Sequence, residues 1–398
     1  MICKNENCFL NTLTFVVMNI GFDAKRAYHN QTGLGHYSRT LIQSLSSDFS
    51  ENEYFLYNPK PSSIFNFQNK NINEIQPRGF INKNFSSLWR SKWVVKDLIR
   101  DNIQLYHGLS HEIPRGIQKS NIPSVVTIHD LIFEHFPQQY KKIDVEIYRN
   151  KFTYACKNAT HIIAISEQTK RDIIKFYKIP DEKITVCYQS CNESFSQLVS
   201  EEKKEIIKKK YSLPDTFLIS VGSIIERKNL LSICKALKLI QVNVPLVVIG
   251  DGGTYKAKVK QFIQENNLTN QVIFLSENQN VKDDILFKTA ADFPAIYQLA
   301  TAMIYPSIAE GFGIPVLEAI MSRIPVITSN ISCLPETGGD AAFYVNPMSE
   351  QEIALAIETI LTNNDLVKKK IQLGILHAQK FSAKLSAQSV MSVYKTLV

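Results

Sequence analysis

The sequence predicts two doubly wound α/β domains of near-equal size that face a shared cleft, and three observations carry this expectation. The chain has 398 residues, beyond the roughly 250–300 at which a single hydrophobic core stops growing. Short apolar runs alternate with segments of helical period along its whole length, the pattern of parallel sheets covered by helices on both faces. The composition shifts at 196–214, where a charged, helix-prone stretch from Glu201 to Lys210 leads into Ser212-Leu213-Pro214.

In the first half, strands are expected at 18–23, 53–57, 103–107, 123–128, 161–165 and 184–187. Between them the stretch 36–47 sets Tyr37, Leu41, Ile42 and Leu45 on one helical face. In the second half, strands at 217–221, 245–249, 272–275, 301–304, 325–328 and 342–345 alternate with helices near 229–241, 254–266, 315–322 and 350–361. The domains are therefore 18–195 and 215–380, joined by a linker at 196–214, with a C-terminal helix in 381–398 expected to pack back toward the first domain. Residues 1–17 read as an extension, because Met18-Asn19-Ile20-Gly21-Phe22-Asp23 has the form of a first strand beginning a domain.

The bulk numbers bound the class. With 44% apolar residues and 10% aromatics the chain is globular, and no apolar run approaches the roughly 20 residues that span a bilayer. The apolar segment from Thr12 to Ile20 is short and lacks a small-residue cleavage site, which argues against a secretory signal. Seven cysteines, at 3, 8, 156, 187, 191, 234 and 333, show no paired C-x-x-C spacing and fit reduced cytoplasmic thiols. Of the net charge of +8, most lies in the first half: residues 1–200 hold 24 Lys and Arg against 18 Asp and Glu, leaving 21 and 19 for the rest. That bias suits an anionic bilayer surface, a phosphorylated substrate or nucleic acid, and equally an ordinary solvated surface. Nucleic acid is set aside because no clustered basic helix or base-stacking motif accompanies it.

Ligands of open α/β sheets bind beyond the carboxyl ends of the strands, and four loops in such positions are unusual. Thr32-Gly33-Leu34-Gly35 follows the first strand and precedes a helix, so its amides can approach an anion; a plain turn explains it as well. Ser124 to Asp130 is a strand ending in His129 and Asp130, where the imidazole could donate to a sugar hydroxyl or to developing charge, or serve structure alone. Gly222 leads from a strand into Arg227-Lys228-Asn229. There a planar guanidinium and a point charge beside a helix start suit a diphosphate, against the blander alternative of a solvated helix entry. The fourth loop runs from Tyr305 to Ala319. Pro315 is expected in the first helical turn with Glu318, and Glu310 sits eight residues before Glu318, so the two carboxylates reach separate parts of one ligand.

Glu310 and Glu318 resemble the E-x7-E element of the family-four retaining glycosyltransferases (glycosyl transferases group 1) of the bacterial surface-polysaccharide type, which have the GT-B fold. The resemblance runs from Asn19 to about Val398, through Gly33-Leu34-Gly35, Thr127-Ile128-His129-Asp130, Ala164-Ile165-Ser166-Glu167, Gly222 with Arg227-Lys228-Asn229, and Leu334-Pro335-Glu336. It implies that Gly33 and Gly35 lie beneath the donor diphosphate and sugar, and that His129 contacts the transferred sugar. Arg227 and Lys228 would neutralise the leaving diphosphate beside Gly222. Glu310, with the amides of Gly311, Phe312 and Gly313, would hold the donor sugar, and Glu318 the ribose. Ser166 matches a motif position without an assigned contact. Gln189-Ser190-Cys191-Asn192, Ala383 after Phe381-Ser382, and the insert-like stretch from Glu277 to Phe293 depart from the family pattern.

The resemblance implies a nucleotide diphosphate sugar as co-substrate and no metal or other cofactor. GDP-mannose is the expected donor by kinship, with UDP-sugars as the alternative. The expected acceptor is a glycan or lipid-linked intermediate of surface polysaccharide synthesis, met in the cytoplasm or at the inner face of its membrane. A sugar-nucleotide epimerase or isomerase of the same fold is the rival activity. Phe85, Leu88, Trp89 and Trp93, interleaved with Lys83, Arg90, Lys92 and Lys96, fit either an interfacial helix on an anionic membrane or a core-facing helix with basic outer residues.

Overall fold

The computed structural model describes residues 17–240 and 243–398; the extension expected at the N-terminus falls, apart from Val17, outside the described residues. The first sheet has seven parallel strands: β1 (Asn19–Asp23), β2 (Glu53–Tyr57), β3 (Ile72–Ile75), β4 (Leu105–Gly108), β5 (Ser124–Ile128), β6 (His161–Ala164) and β7 (Ile184–Val186). Their spatial order is β3-β2-β1-β4-β5-β6-β7. The second sheet has six, β8 (Leu218–Val221), β9 (Leu246–Ile249), β10 (Val272–Phe274), β11 (Ala302–Tyr305), β12 (Val326–Ser329) and β13 (Phe343–Val345), in the order β10-β9-β8-β11-β12-β13. Each order reverses once, between β1 and β4 in the first sheet and between β8 and β11 in the second.

Central strands buried on both faces read as continuous apolar runs, and β4, β5, β9, β11 and β12 are buried at every residue. The strand absent from the sequence reading is β3. It lies at the sheet edge with Glu74 exposed, so Ile72-Asn73-Glu74-Ile75 carries no such run. Helices cover both faces. In the helix Gly33–Asp48 the buried Tyr37, Leu41, Ile42 and Leu45 form the expected stripe.

One boundary differs from expectation. The stretch 196–214 is not an open connector. It contains the helix Glu201–Lys210, capped by Ser200, and Ile207, Tyr211 and Leu213 are buried. The Tyr211 hydroxyl and Lys210 Nζ both donate to Asp292, at 2.8 and 2.9 Å, which fixes the segment to the second domain. The helix Ala383–Lys395 packs against Gly33–Asp48 of the first domain, and its buried Tyr394 hydroxyl lies 2.5 Å from His107 Nδ1 at β4. The chain thus returns to the first domain at its C-terminal end.

The stretch 79–100 is neither of the single helices expected from its sequence. It breaks into Gly79–Asn84, Ser86–Leu88, a π-turn over Trp89–Trp93, and Val94–Arg100. Trp89 is fully buried, its Nε1 donating to Asp97 at 2.6 Å, and Trp93 packs against the same core. Phe85 and Leu88 face outward with Phe80 and Ile81, which are 84% and 64% exposed. Among the described residues no helix is long and apolar enough to cross a membrane, and Cys156, Cys187, Cys191, Cys234 and Cys333 are buried free thiols.

Candidate functional site

The reversal between β8 and β11 is where a ligand crevice is expected, and it gathers the charged residues singled out by sequence. Beyond β8 the chain passes Gly222, at φ +135°, and makes a single 3-10 turn over Glu226–Lys228 before the helix Leu230–Leu239. Beyond β11 comes the loop bearing Glu310. One carboxylate oxygen of Glu310, Oε1, receives Lys228 Nζ at 2.6 Å, Arg227 Nη1 at 2.8 Å, Ser307 Oγ at 2.6 Å and the Tyr305 hydroxyl at 2.9 Å. Lys228 also contacts the Tyr305 hydroxyl, and Arg227 the Ala309 carbonyl. Burial pushes the Glu310 carboxyl up, but the Lys228 and Arg227 charges outweigh it and hold the group below the usual carboxylate range. Burial pulls Lys228 below its ordinary value, offset in part by Glu310.

Glu318 lies apart from this cluster. The helix Ile314–Met321 starts after Gly313, at φ +93°, so Glu318 is its fifth residue and sits in the second turn, not in the first as the position of Pro315 suggested. Its carboxylate accepts the Tyr297 hydroxyl at 2.8 Å, and burial raises it to about 7. Among the described residues no cation pairs with it, so the two acidic groups have opposite environments: one ionised by neighbours, the other made hard to ionise by burial.

The first domain closes directly on this loop. A Cβ at Gly311 would stand 2.3 Å from the His129 carbonyl oxygen, so only glycine allows this approach. Ser166, which caps the helix Glu167–Tyr177, donates to the Gly311 carbonyl at 2.8 Å. Glu336 accepts from the amides of Glu167 and Gln168, at 2.7 and 2.9 Å, satisfying free donors at that helix start. These contacts give Ser166 and Glu336 a role in holding the domains together. The rings of Phe312, Tyr188 and Phe381 pack together, each against the other two.

Two expectations change. His129 is buried, and burial lowers it to about 3, so the ring is neutral. Its Nε2 donates to the Leu109 carbonyl at 2.9 Å; the expected donor is already engaged, which leaves Nδ1 as an acceptor. Gly35 is buried, its amide donates to Thr32 O and Asn30 Oδ1, and a Cβ there would meet the Asn30 carbonyl at 1.8 Å. It shapes the turn, whereas Gly33, exposed with open space around it at the helix start, is the residue accessible to an anion.

Residues 201–375 match the family model described as Glycosyl transferases group 1, and residues 32–194 match Glycosyltransferase Family 4. The chain belongs to the family 4, group 1 glycosyltransferases. It is 24% identical to the O-antigen chain mannosyltransferase B of Escherichia coli, over 96% of this chain and 100% of that protein. It is 30% identical to the O-antigen chain mannosyltransferase RfbU of Salmonella typhimurium over 61% of this chain and 62% of that one. The structure of a glycosyltransferase from Rickettsia africae superposes with a TM-score of 0.73 at 19% identity, covering 96% of this chain and 98% of that chain; the fold is GT-B.

Within this glycosyltransferase the sequence reading passed over Tyr305 and Ser307, which hydrogen-bond Glu310, and Tyr297, which hydrogen-bonds Glu318. Tyr305 and Ser307 were visible as hydroxyl residues five and three positions before Glu310. Tyr297 follows the insert-like stretch and had no local signal. Asp130 and Tyr140 of the first domain also lie close enough for the charges of Arg227 and Glu310 to act on them.

Proposed function

We propose that this glycosyltransferase is a retaining mannosyltransferase that uses GDP-mannose to extend a surface polysaccharide on a glycan or lipid-linked acceptor. The observation that carries the reading is the convergence of Arg227 and Lys228 on Glu310 where the second sheet reverses; the donor identity rests on the mannosyltransferase relatives. Two cations against one carboxylate leave a net positive charge for the diphosphate. In the reaction the bond from the sugar C1 to the diphosphate oxygen breaks and a bond from C1 to the acceptor oxygen forms on the same face. The proton of the acceptor hydroxyl passes to the leaving phosphate. Glu310 is a poor nucleophile for a double-displacement route, since four donors share one of its oxygens and its charge is committed to Lys228 and Arg227. Its role is to orient the sugar, with Nδ1 of His129 accepting from a sugar hydroxyl and Gly33 facing the phosphates.

The charge on the leaving group is met by side chains, so turnover is expected to persist in excess EDTA. Loss of activity in chelator with recovery on adding Mg²⁺ or Mn²⁺ would contradict this. A thermal-shift screen across nucleotide diphosphate sugars tests the donor. Saturating GDP-mannose should stabilise the protein by about 3 kcal/mol at a hundredfold excess over Kd, and a flat response to every sugar nucleotide sinks the reading. Consumption of donor without any acceptor, giving an isomeric sugar nucleotide, would select the epimerase instead.

The acceptor is met at an anionic membrane surface from the cytoplasmic side. Phe80, Ile81, Phe85 and Leu88 project outward beside exposed Arg78, Lys83 and Lys92, which combines apolar insertion with attraction to anionic headgroups. Flotation with anionic vesicles at low salt should carry the protein upward, and Phe80→Asp with Ile81→Asp should leave it in the dense fraction. Wild-type protein that fails to float dismisses the membrane contact.

A further inference from the structure

The C-terminal helix Ala383–Lys395 meets the first domain through a polar side chain. Tyr394 is fully buried, and its hydroxyl lies 2.5 Å from Nδ1 of His107, itself fully buried in β4. Nε2 of the same imidazole lies 2.8 Å from Thr127 Oγ1 in β5. Thr127 Oγ1 in turn lies 3.1 Å from the hydroxyl of Tyr37, on the helix Gly33–Asp48. Burial lowers His107 to about 3, so the ring is neutral. It then donates from one nitrogen and accepts at the other, and links the two hydroxyls on either side of it. The chain of bonds ends on His129: the Tyr37 ring stands edge-on to the His129 ring, with centroids 4.6 Å apart and planes at 90°. Four buried polar side chains from four elements thus connect the last helix to the strand end that faces the cleft.

We infer that Tyr394, acting through His107, Thr127 and Tyr37, is a positioning residue that fixes the His129 ring against the donor sugar. The inference rests on the proposed contact of His129 with that sugar. The Leu109 carbonyl and the His111 ring also hold His129, and Tyr37 is the contact that ties it to the C-terminal helix. Stability alone does not call for these polar groups, because replacing both partners of a buried hydrogen bond by apolar groups of the same shape is nearly neutral. A satisfied buried network supplies something else, a single arrangement of the parts it joins. Tyr37 also lies one turn after Gly33, so the same bonds fix the helix whose start faces the phosphates. Misplacing a group that orients substrate costs rate more than affinity, and that is the signature expected when the chain is cut far from the cleft.

Steady-state transfer kinetics and 15N-histidine NMR on the full chain test this. Tyr394→Phe and the isosteric Thr127→Val each remove one hydroxyl and should lower kcat about tenfold, with the KM for the donor sugar nucleotide unchanged. The double variant should match the singles, because the two residues act through one chain. Thr127→Ser, which keeps the hydroxyl, should retain the wild-type rate. The ring nitrogen resonances of His129, identified by their absence in His129→Gln, should move in Tyr394→Phe, although the hydroxyl removed lies at the far end of the chain. GDP affinity, measured by calorimetry, should stay at the wild-type value in every variant and so report folding. Wild-type kcat in Tyr394→Phe, a double variant at the product of the singles, or equal losses in Thr127→Ser and Thr127→Val overturns the proposal. So do His129 resonances that stay in place, and GDP affinity lost together with kcat, which marks a structural role. A wild-type protein that transfers sugar from no nucleotide donor counts against the donor reading instead, and the histidine spectrum then decides the relay.

Discussion

Lys228→Ala is expected to lower kcat by about a thousandfold, the range seen when one preorganised charge stabiliser is removed from a water-poor site. Lys228 Nζ sits 2.6 Å from Glu310 and is largely buried, so the substitution removes a cation that meets the diphosphate and strips Glu310 of part of its compensation. A thousandfold loss of rate corresponds to about 4 kcal/mol of lost transition-state stabilisation, and removing one partner of a buried ion pair separately costs about 3–5 kcal/mol of folding stability. Glu310→Ala should be as severe in kcat but differ in KM. It leaves Arg227 and Lys228 free for phosphate, so donor binding should hold or tighten while the sugar loses its anchor. The double variant should cost far less than the product of the two, because the residues act as one unit. Steady-state transfer kinetics check all three, and wild-type rates in both single variants would refute the assignment of the cluster.

The legible part of this protein was the part governed by local physics. Parallel strands buried on both faces announce themselves as short apolar runs, so the second sheet could be read strand by strand, and glycines and Pro315 marked the loops at strand ends. The edge strand Ile72–Ile75 was missed because exposed Glu74 and half-buried Asn73 break the run. The identity of Glu310, Arg227 and Lys228 was readable, but their joint use of a single carboxylate oxygen was not, since they lie some 80 residues apart. His129 shows the same limit from the other side. Its position was correct, yet its hydrogen-bonding sense is set by the Leu109 carbonyl, a backbone atom with no sequence signature. The segment 79–100 was ambiguous for a different reason: a π-turn rotates successive residues away from the 3.6 period, so Trp89 and Leu88 fall on opposite sides of the surface.

Glu318→Gln should stabilise the protein at pH 8 and weaken it as an enzyme. The Glu318 carboxyl is raised to about 7 by burial, with the Tyr297 hydrogen bond opposing this in part, against an ordinary value near 4.5. The folded state therefore binds more protons than the unfolded state between those values, and stability falls as pH rises through that window. At about 1.4 kcal/mol for each tenfold change in proton affinity, keeping an ionised Glu318 buried costs about 3 kcal/mol at pH 8 and almost nothing at pH 4. Glutamine can still accept from the Tyr297 hydroxyl and carries no charge. Its thermal midpoint should exceed wild type by about 8 °C at pH 8, with the difference closing near pH 4. The proposed ribose contact needs the opposite property, an ionised carboxylate that takes hydroxyl donors. Nucleotide diphosphate affinity in the wild type should then fall as pH drops through 7 and level off about tenfold lower, at the affinity of Glu318→Gln, which binds about tenfold more weakly at pH 8 and shows no such slope. Calorimetric titrations at pH 6 and 8 separate the two effects. A variant that is stabilised but binds nucleotide with the wild-type affinity and pH profile would make Glu318 a strained core residue, and the ribose assignment would fall while the Glu310 cluster stood.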